Sequence, residues 1–224
     1  MIRVLVADDE SLMRLGLVEL LSSDPEIQIV GEASSGREVI QRAVRLRPDV
    51  VLMDVRMPDL DGIAATAELA RAAPDSKVLI LTTFEDEDYI FRTLRAGASG
   101  FLLKRTRPEE LIAAVHTVAA GESLLSPSVT RVVIDRIAQQ PMPGFDGSDK
   151  LDDLTPRERE VLELIARGLS NREIAAALTV EQSTVRTHIK RTLAKLGLRD
   201  RVQAVILAYE AGVARPGVGP TADR

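Results

Sequence analysis

The sequence predicts an α/β domain followed by an all-α domain. Over about the first 120 residues, short β-branched runs alternate with longer stretches of helical spacing, which predicts a doubly wound (β/α)5 domain around a five-stranded parallel sheet. Pro and Gly are frequent and apolar residues scarce at 139–149, which indicates a flexible linker. Beyond it the pattern is helical throughout and predicts a four-helix domain. We expect domains at 1–122 and 151–214, a helical extension and linker at 123–150, and a disordered tail at 215–224.

The α/β domain is predicted from runs that fit buried strands. These runs are Ile2–Ala7, Ile27–Glu32, Val50–Met53, Val78–Thr82 and Gly100–Leu103. Apolar residues between them predict the inner faces of helices. The first face would comprise Leu12, Leu15, Leu17, Leu20 and Leu21, the second Val39, Ile40, Ala43, Val44 and Leu46, and the last Leu111, Ile112, Val115 and Val118. Val129–Ile137 would form the helical extension.

Capping signals define the helices of the second domain. Thr155-Pro156-Arg157-Glu158 and Ser170-Asn171-Arg172-Glu173 are both capping boxes, and Pro156 suits the first helical position. Gly168 lies where the first of these helices should end. The four helices are expected near 156–167, 171–178, 182–196 and 200–211.

Composition excludes several classes of protein and site. The chain has 224 residues and no cysteine, which excludes disulfide scaffolds and thiolate metal sites, and it has only two histidines. No apolar run approaches the roughly 18 residues of a membrane span, and the first residues resemble a strand, not a signal peptide. We therefore expect no membrane association and a cytoplasmic location.

The net charge of −5 is an average over two unlike parts of the chain. Acidic residues exceed basic ones in 1–150, whereas basic residues are in slight excess from 151 onward. The positive charges concentrate in one segment, as Arg186, Lys190, Arg191, Lys195, Arg199 and Arg201, with Asp200 the one acid among them. This segment indicates a surface that binds a polyanion.

Polar side chains lie at the carboxyl ends of four of the predicted strands. They are Asp8 and Asp9, Asp54, Thr82 and Lys104. Ligands bind beyond the carboxyl ends of strands in open parallel sheets, so these groups should converge. Clustered carboxylates repel one another, and Mg²⁺ would relieve this with Asp9, Asp54 and the Arg56 carbonyl as ligands and Asp8 through water. Asp54 could then attack phosphorus, while Lys104 and Thr82 stabilise the phosphoryl oxygens.

Residues 1–120 resemble the receiver domain of two-component response regulators. The matching residues are Asp8-Asp9, Asp54, Met57-Pro58, Asp61-Gly62, Thr82 and Lys104. The resemblance implies that a sensor histidine kinase donates a phosphoryl group to Asp54. It also implies a switch in which Thr82 moves toward that group and the aromatic residue, here Phe101, turns inward. Arg105 replaces the proline that often follows the lysine in this family.

The helices at 171–178 and 182–196 have the spacing of a helix-turn-helix, whose second helix enters the DNA major groove. Val185, Ile189, Leu193 and Leu196 recur on one side of that helix and should face the core. The other side would contact DNA through Thr184, Arg186, Thr187, Lys190, Arg191 and Lys195. Basic groups there would bind phosphates, and Arg186 would suit a guanine edge.

Residues 151–212 resemble the four-helix DNA-binding domain of the LuxR/NarL/FixJ group. The resemblance is carried by Leu154–Leu162, Gly168–Asn171, Glu173–Ala175, Thr184–Ile189 and Lys195–Leu198. It implies that Arg186, Thr187 and Lys190 are the foremost groove contacts. Glu181 stands where the group usually has Ser or Thr, and it is a poorer N-cap that brings negative charge near DNA. The last helix would form a homodimer contact on DNA through Val202, Val205 and Ile206, would close the four-helix core, or would do both.

Three functions are compatible with these patterns. The leading hypothesis is a phosphorylation-activated regulator that dimerises when phosphorylated or bound to promoter DNA, with RNA polymerase as a further candidate partner. A metal-dependent phosphohydrolase is the second, but the acid it needs two residues after Asp54 is replaced by Arg56, so we expect at most slow self-dephosphorylation. The third is a receiver controlled by a ligand or partner without phosphorylation.

Overall fold

The computed structural model describes residues 1–83, 87–121 and 151–214, with only the backbone of residues 87 and 88. The chain divides into two compact units, Met1–Leu125 and Ser126–Arg224. The predicted helical extension, linker and tail lie outside the described residues. An α/β unit followed by a helical unit confirms the predicted fold class.

The first unit alternates strands and helices as expected. Its strands are β1 (Ile2–Ala7), β2 (Ile27–Ala33), β3 (Val50–Met53), β4 (Lys77–Thr82) and β5 (Gly100–Leu103). Its helices are α1 (Ser11–Ser22), α2 (Gly36–Leu46), α3 (Gly62–Ala72), α4 (Glu87–Arg95) and α5 (Pro108–Ala119). The predicted strands differ from these by one residue at the end of β2 and at the start of β4.

The five strands form one parallel sheet in the order β2-β1-β3-β4-β5. Helices α1 and α5 cover one face, where Leu21 and Val115 pack against Val4, Leu52 and other buried strand residues. Alternate strand residues such as Leu5 and Met53 point to the other face and are fully buried as well. Burial on both faces explains the nearly continuous apolar character of the strands.

Two of the predicted helix faces are wrong in part. Leu12 and Leu15 are 84% and 56% exposed, whereas Leu17 and Leu21 are buried. Each helical residue turns by about 100°, so Leu12 and Leu15 point away from the side that faces the sheet. Val44 of α2 is also exposed, for the same reason.

Within residues 151–214, the second unit has the four predicted helices. They are α6 (Pro156–Ala166), α7 (Asn171–Leu178), α8 (Gln182–Leu196) and α9 (Arg201–Glu210). The hydroxyls of Thr155 and Ser170 accept from the backbone of Glu158 and Glu173, and both capping boxes are complete. Gly168 has a φ of 81°, which suits the residue that ends a helix. Side chains from all four helices share one core.

Among the described residues, we find no helix that combines the length and apolar character needed to cross a membrane.

Candidate functional site

The carboxyl ends of β1 and β3 lie side by side, because Ala7 pairs with Met53. Asp8 and Asp54 directly follow these two strands and are both buried. The chain leaves the sheet in opposite directions from this pair of strands, and such a point creates a crevice for ligands. The sheet order therefore brings the two acids together as the sequence predicted.

Lys104 follows the edge strand β5, two strands away from β3, and its side chain reaches the same two acids. Its backbone N–H donates to the Thr82 carbonyl at 2.8 Å, which continues the pairing of β4 and β5. Its ammonium lies 2.7 Å from Asp8 Oδ2 and 2.7 Å from Asp54 Oδ2, and the side chain is only 5% exposed. Glu10 Oε1 is 3.8 Å from the same nitrogen. Lys104 thus bridges the two strand-end acids.

Burial and charge act in opposite directions on these groups. Burial raises the pKa of Asp54 above its ordinary value, and the bond from Lys104 offsets this only in part. Burial alone would lower the pKa of Lys104, but its bonds to Asp54 and Asp8 outweigh this and raise it. Lys104 is therefore held as a cation, whereas the ionised form of Asp54 is costly in this pocket.

The acids also suit a hard divalent cation. Asp8, Asp9 and Asp54 each offer a carboxylate oxygen, and these atoms lie within 4.8 Å of one another. Asp9 is exposed, which leaves room for the waters that Mg²⁺ retains. The Arg56 N–H donates to Asp54 Oδ1 at 3.3 Å, so the Arg56 backbone runs beside this carboxylate. The donor set fits Mg²⁺.

The two predicted switch residues are both buried. Thr82 is the last residue of β4 and is 1% exposed. Phe101 lies on β5 opposite Ile80 of β4 and is 3% exposed. The structure thus places Thr82 at the carboxyl end of β4, beside β3, and Phe101 inside β5, the strand that Lys104 follows.

Close packing fixes the loop between β3 and α3. The Gly62 N–H donates to the Val55 carbonyl at 2.8 Å, and a Cβ at Gly62 would lie 2.4 Å from the Asp54 carbonyl oxygen. A Cβ at Gly36 would lie 2.2 Å from the Leu60 carbonyl oxygen. Asp61 caps α3 by accepting from the Ala64 N–H. The Asp61-Gly62 pair therefore holds this loop against Asp54 and Val55, which directly follow β3.

The second unit places α7 and α8 as a helix-turn-helix. Thr179 has a φ of 53° and ends α7, and the Val180 N–H donates to the Ala175 carbonyl. On α8, Val185 and Ile189 are buried in the core that the four helices share. The predicted inner side of α8 is therefore confirmed.

The outer side of α8 is polar and accessible. Its exposed residues include Thr184, Arg186, Thr187, Lys190 and Arg191. Glu181 is the N-cap residue of α8, but its side chain makes no cap hydrogen bond, which confirms that it is a poor cap. Its carboxylate accepts instead from the Ser183 hydroxyl at 3.2 Å.

Lys195, the sixth predicted DNA contact, is engaged within its own domain. Its ammonium lies 2.7 Å from Glu158 Oε2 and 3.0 Å from the Asp153 carbonyl oxygen. The Glu158 side chain is only 5% exposed. The bonds from Lys195 and Thr155 lower the pKa of Glu158 to about 2, so it stays ionised.

The sequence analysis did not predict the contacts that three arginines make within the two units. Arg14 donates to the Asp8 carbonyl at 2.6 Å and bonds Glu32, so it secures the turn that carries the acids. Arg157 donates to the Leu178 carbonyl at 2.9 Å, and Arg201 bonds Asn171 and the Leu169 carbonyl. Apart from the bond between Arg14 and Asp8, these contacts join residues at least 18 positions apart, which no local spacing reveals.

The three predicted dimer residues are covered within the chain. Val202, Val205 and Ile206 are 0%, 2% and 5% exposed, and Val205 belongs to the core of the helical unit. A dimer contact through these side chains requires that they first be uncovered. The assignment stays a prediction.

Comparisons with known proteins agree with both halves of this description. A family model described as a response regulator receiver domain matches residues 4–116, and one described as bacterial regulatory proteins of the luxR family matches 152–208. The transcriptional regulatory protein YxjL of Bacillus subtilis is 41% identical, over 95% of this chain and 97% of that protein.

Solved structures resemble the chain over nearly its whole length. The response regulator ChrA of a heme-sensing two-component system is 36% identical with a TM-score of 0.51, over 95% of this chain and 98% of ChrA. A structure of RcsB dimers bound to DNA is 25% identical with a TM-score of 0.54, over 95% of this chain and 99% of that one. The chain therefore belongs to the two-component response regulators that join a receiver domain to a LuxR-type helix-turn-helix domain, and it is a DNA-binding transcription regulator.

Proposed function

We propose that Asp54 accepts a phosphoryl group from the phosphohistidine of a sensor kinase and that this controls binding to promoter DNA. The proposal is carried by one observation: Asp8, Asp54 and Lys104 converge within 2.7 Å contacts at the carboxyl edge of the sheet. During transfer, the N–P bond of the donor breaks as an O–P bond to Asp54 forms. Asp54 stays fixed by Lys104 and by the Arg56 N–H.

The residues around Asp54 divide the remaining work. Asp9, Asp54 and the Arg56 carbonyl would hold Mg²⁺, with Asp8 acting through water, and the bound ion would offset charge on the phosphoryl oxygens. Lys104 keeps a positive charge beside those oxygens. Thr82 ends β4 and Phe101 lies on β5, the strand that Lys104 follows, and a new anion at Asp54 would bias their positions.

We assign no sustained phosphatase activity to the site. A phosphohydrolase needs a general acid near its nucleophile, and position 56 carries an exposed arginine. The acylphosphate at Asp54 would then be lost only by slow attack of water. A steady-state assay with phosphate esters should show no turnover beyond stoichiometric transfer.

On DNA, we propose that α8 enters the major groove with Thr184, Arg186, Thr187, Lys190 and Arg191 toward the duplex. RcsB dimers have been solved on DNA, which supports a homodimer of this chain on a two-fold promoter site in the cytoplasm. RNA polymerase is a further candidate partner for a regulator bound at a promoter. Sedimentation with operator DNA and a phosphoryl mimic should detect the dimer, and a monomer under those conditions would contradict it.

The decisive experiment combines phosphorylation with mapping of bound DNA. The purified chain is treated with acetyl phosphate and Mg²⁺, and its bound genomic DNA is compared with that of Asp54→Asn. Asp59→Asn is the matched control, because Asp59 is an exposed acid of the same loop and Asn tolerates its φ of 67°. We expect phosphate incorporation and promoter occupancy to be lost only in Asp54→Asn. Unchanged occupancy in that variant would favour control without phosphorylation.

A further inference from the structure

The first turn of α6 holds the C-terminal ends of both helices of the helix-turn-helix. Arg157 donates to the carbonyl of Leu178, the last residue of α7. The next residue, Glu158, bonds the ammonium of Lys195, which lies in the last turn of α8. Two consecutive side chains thus connect one helix start to two helix ends.

The bond between Glu158 and Lys195 is well placed to persist. Oε2 of Glu158 also accepts from the Thr155 N–H at 2.9 Å and from the Thr155 hydroxyl at 2.9 Å. The carboxylate is almost fully enclosed, and the capping box orients it independently of Lys195. A second bond, from Lys195 to the Asp153 carbonyl, draws the ammonium toward the same helix start. A half-exposed lysine is thereby committed to an acceptor inside its own domain.

The geometry points to a positioning role: we propose that Lys195, through Glu158, sets the angle at which α8 presents its outer side to the major groove, and does not bind phosphate. Lys195 is nine residues beyond Arg186, or about 13 Å along the helix axis. A tilt of about 10° at the Lys195 end would displace Arg186 by roughly 2 Å, which exceeds the tolerance of a base-edge hydrogen bond. Loss of the ion pair should therefore reduce sequence discrimination.

A phosphate contact and a positioning residue differ in two measurable quantities. A lysine that neutralises one phosphate contributes about one unit to the slope of log K against log salt, on any sequence. A positioning residue leaves that slope unchanged and alters the preference for the correct sequence. Both quantities can be measured with a duplex that the wild-type chain selects from a random library and with a scrambled duplex of the same composition.

The variants separate the two roles. Lys195→Met removes the ion pair, Lys195→Arg keeps it, and Lys190→Gln removes a proposed DNA contact. Glu158→Gln removes the charge but keeps a side chain that completes a capping box, so α6 retains its start. Circular dichroism and thermal unfolding of the full chain check that each variant is folded.

We expect Lys195→Met and Glu158→Gln each to reduce the ratio of selected to scrambled binding at least fivefold, with an unchanged salt slope on the scrambled duplex. The double variant should lose no more than either single one, because both remove the same interaction. Lys195→Arg should keep the wild-type ratio. Lys190→Gln should make the salt dependence shallower, reducing the magnitude of the slope by about one on both duplexes. If Lys195→Met instead lowers the slope by about one and weakens both duplexes equally, the proposal is overturned.

The inference rests on DNA binding by α8, and the two can fail separately. A wild-type chain with no preference among duplexes would contradict the function itself. A wild-type preference that survives in Lys195→Met would contradict only the positioning role. Additive losses in the double variant would do the same.

Discussion

Lys104 and Asp54 show how single side chains balance an acidic pocket. The ammonium of Lys104 lies 2.7 Å from two carboxylates, which offsets the repulsion between them. The compensation is incomplete, because burial still raises the pKa of Asp54. Functional sites typically keep a carboxylate where its ionised form is destabilised, because their chemistry requires that carboxylate.

Asp54→Asn should therefore stabilise the receiver domain in the absence of Mg²⁺. The change removes a buried charge and should raise the free energy of unfolding, on the order of 1 kcal/mol. Thermal unfolding of the full chain measures this, with Asp59→Asn as the control. Added Mg²⁺ should stabilise the wild type more than Asp54→Asn, and an equal rise in both would show that Asp54 is not a ligand.

Gly62 is the residue at which the loop beside Asp54 tolerates no side chain. A Cβ there would lie 2.4 Å from the Asp54 carbonyl oxygen, so Gly62→Ala must push the loop away from β3. We expect a loss of about 1–3 kcal/mol of stability and slower phosphorylation by acetyl phosphate. Gly16→Ala is the control, because nothing lies within 4 Å of a Cβ at that position of α1. Equal behaviour of the two variants would contradict the crowding argument.

Among the elements, α8 is poorly capped at its N-terminus and well capped at its C-terminus. Glu181 makes no cap bond at its N-terminus, whereas Gly197 ends it with a φ of 68° and Lys195 secures its last turn. In the proposed complex, the start of α8 is the end that would enter the groove. Its order in the free protein therefore depends on the core contacts of Val185 more than on capping.

Glu181→Ser should correct that start. A serine cap accepts from the helix backbone and should add about 0.5–1 kcal/mol to the stability of the helical domain. Removing a negative charge should also tighten DNA binding at low salt. Glu181→Gln removes the charge without adding a cap, so only Glu181→Ser should gain stability. If the two variants are equally stable, the cap has no effect.

Glu158 gives α6 a defined response to acid. Its pKa falls from 4.5 in the unfolded chain to about 2 in the folded one, because Lys195 and Thr155 bond its ionised form. A lowered carboxyl pKa stabilises the fold fully above 4.5, and this contribution is lost as the pH falls toward 2. Hydrogen-exchange protection of α6 should show the advantage of wild type over Glu158→Gln shrinking through this window. A constant difference across it would rule out the ionised bond.

At the scale of the whole molecule, the chain joins an acidic receiver to a helical unit with a concentrated basic segment. Coupling between them must be reciprocal if both ligands bind the same chain. A phosphoryl mimic that raises affinity for the selected duplex should have its own affinity raised by that duplex by the same factor, about tenfold for ordinary coupling. Titrations in both orders at one chain concentration test this, and unequal factors would show that the two sites are not linked through one equilibrium.

Much of this organisation could be predicted from sequence because it is local or periodic. Strand runs placed Asp54 and Lys104 at the same sheet edge, and capping boxes placed the starts of α6 and α7. Leu12 and Leu15 were misjudged because apolar content alone does not say which side of a helix meets the sheet. The Glu158–Lys195 bond could not be predicted, since it joins side chains 37 residues apart through tertiary packing.

The bonds from the first turn of α6 to the helix-turn-helix have a consequence for retargeting the protein to other promoters. Arg157 and Glu158 bond the C-terminal ends of α7 and α8, away from the exposed residues Thr184, Arg186, Thr187, Lys190 and Arg191. The residues that would recognise the DNA sequence are thus separate from those that hold α7 and α8 in position. The exposed residues of α8 can therefore be substituted to change the operator sequence that is recognised, while the contacts that position the helix stay intact.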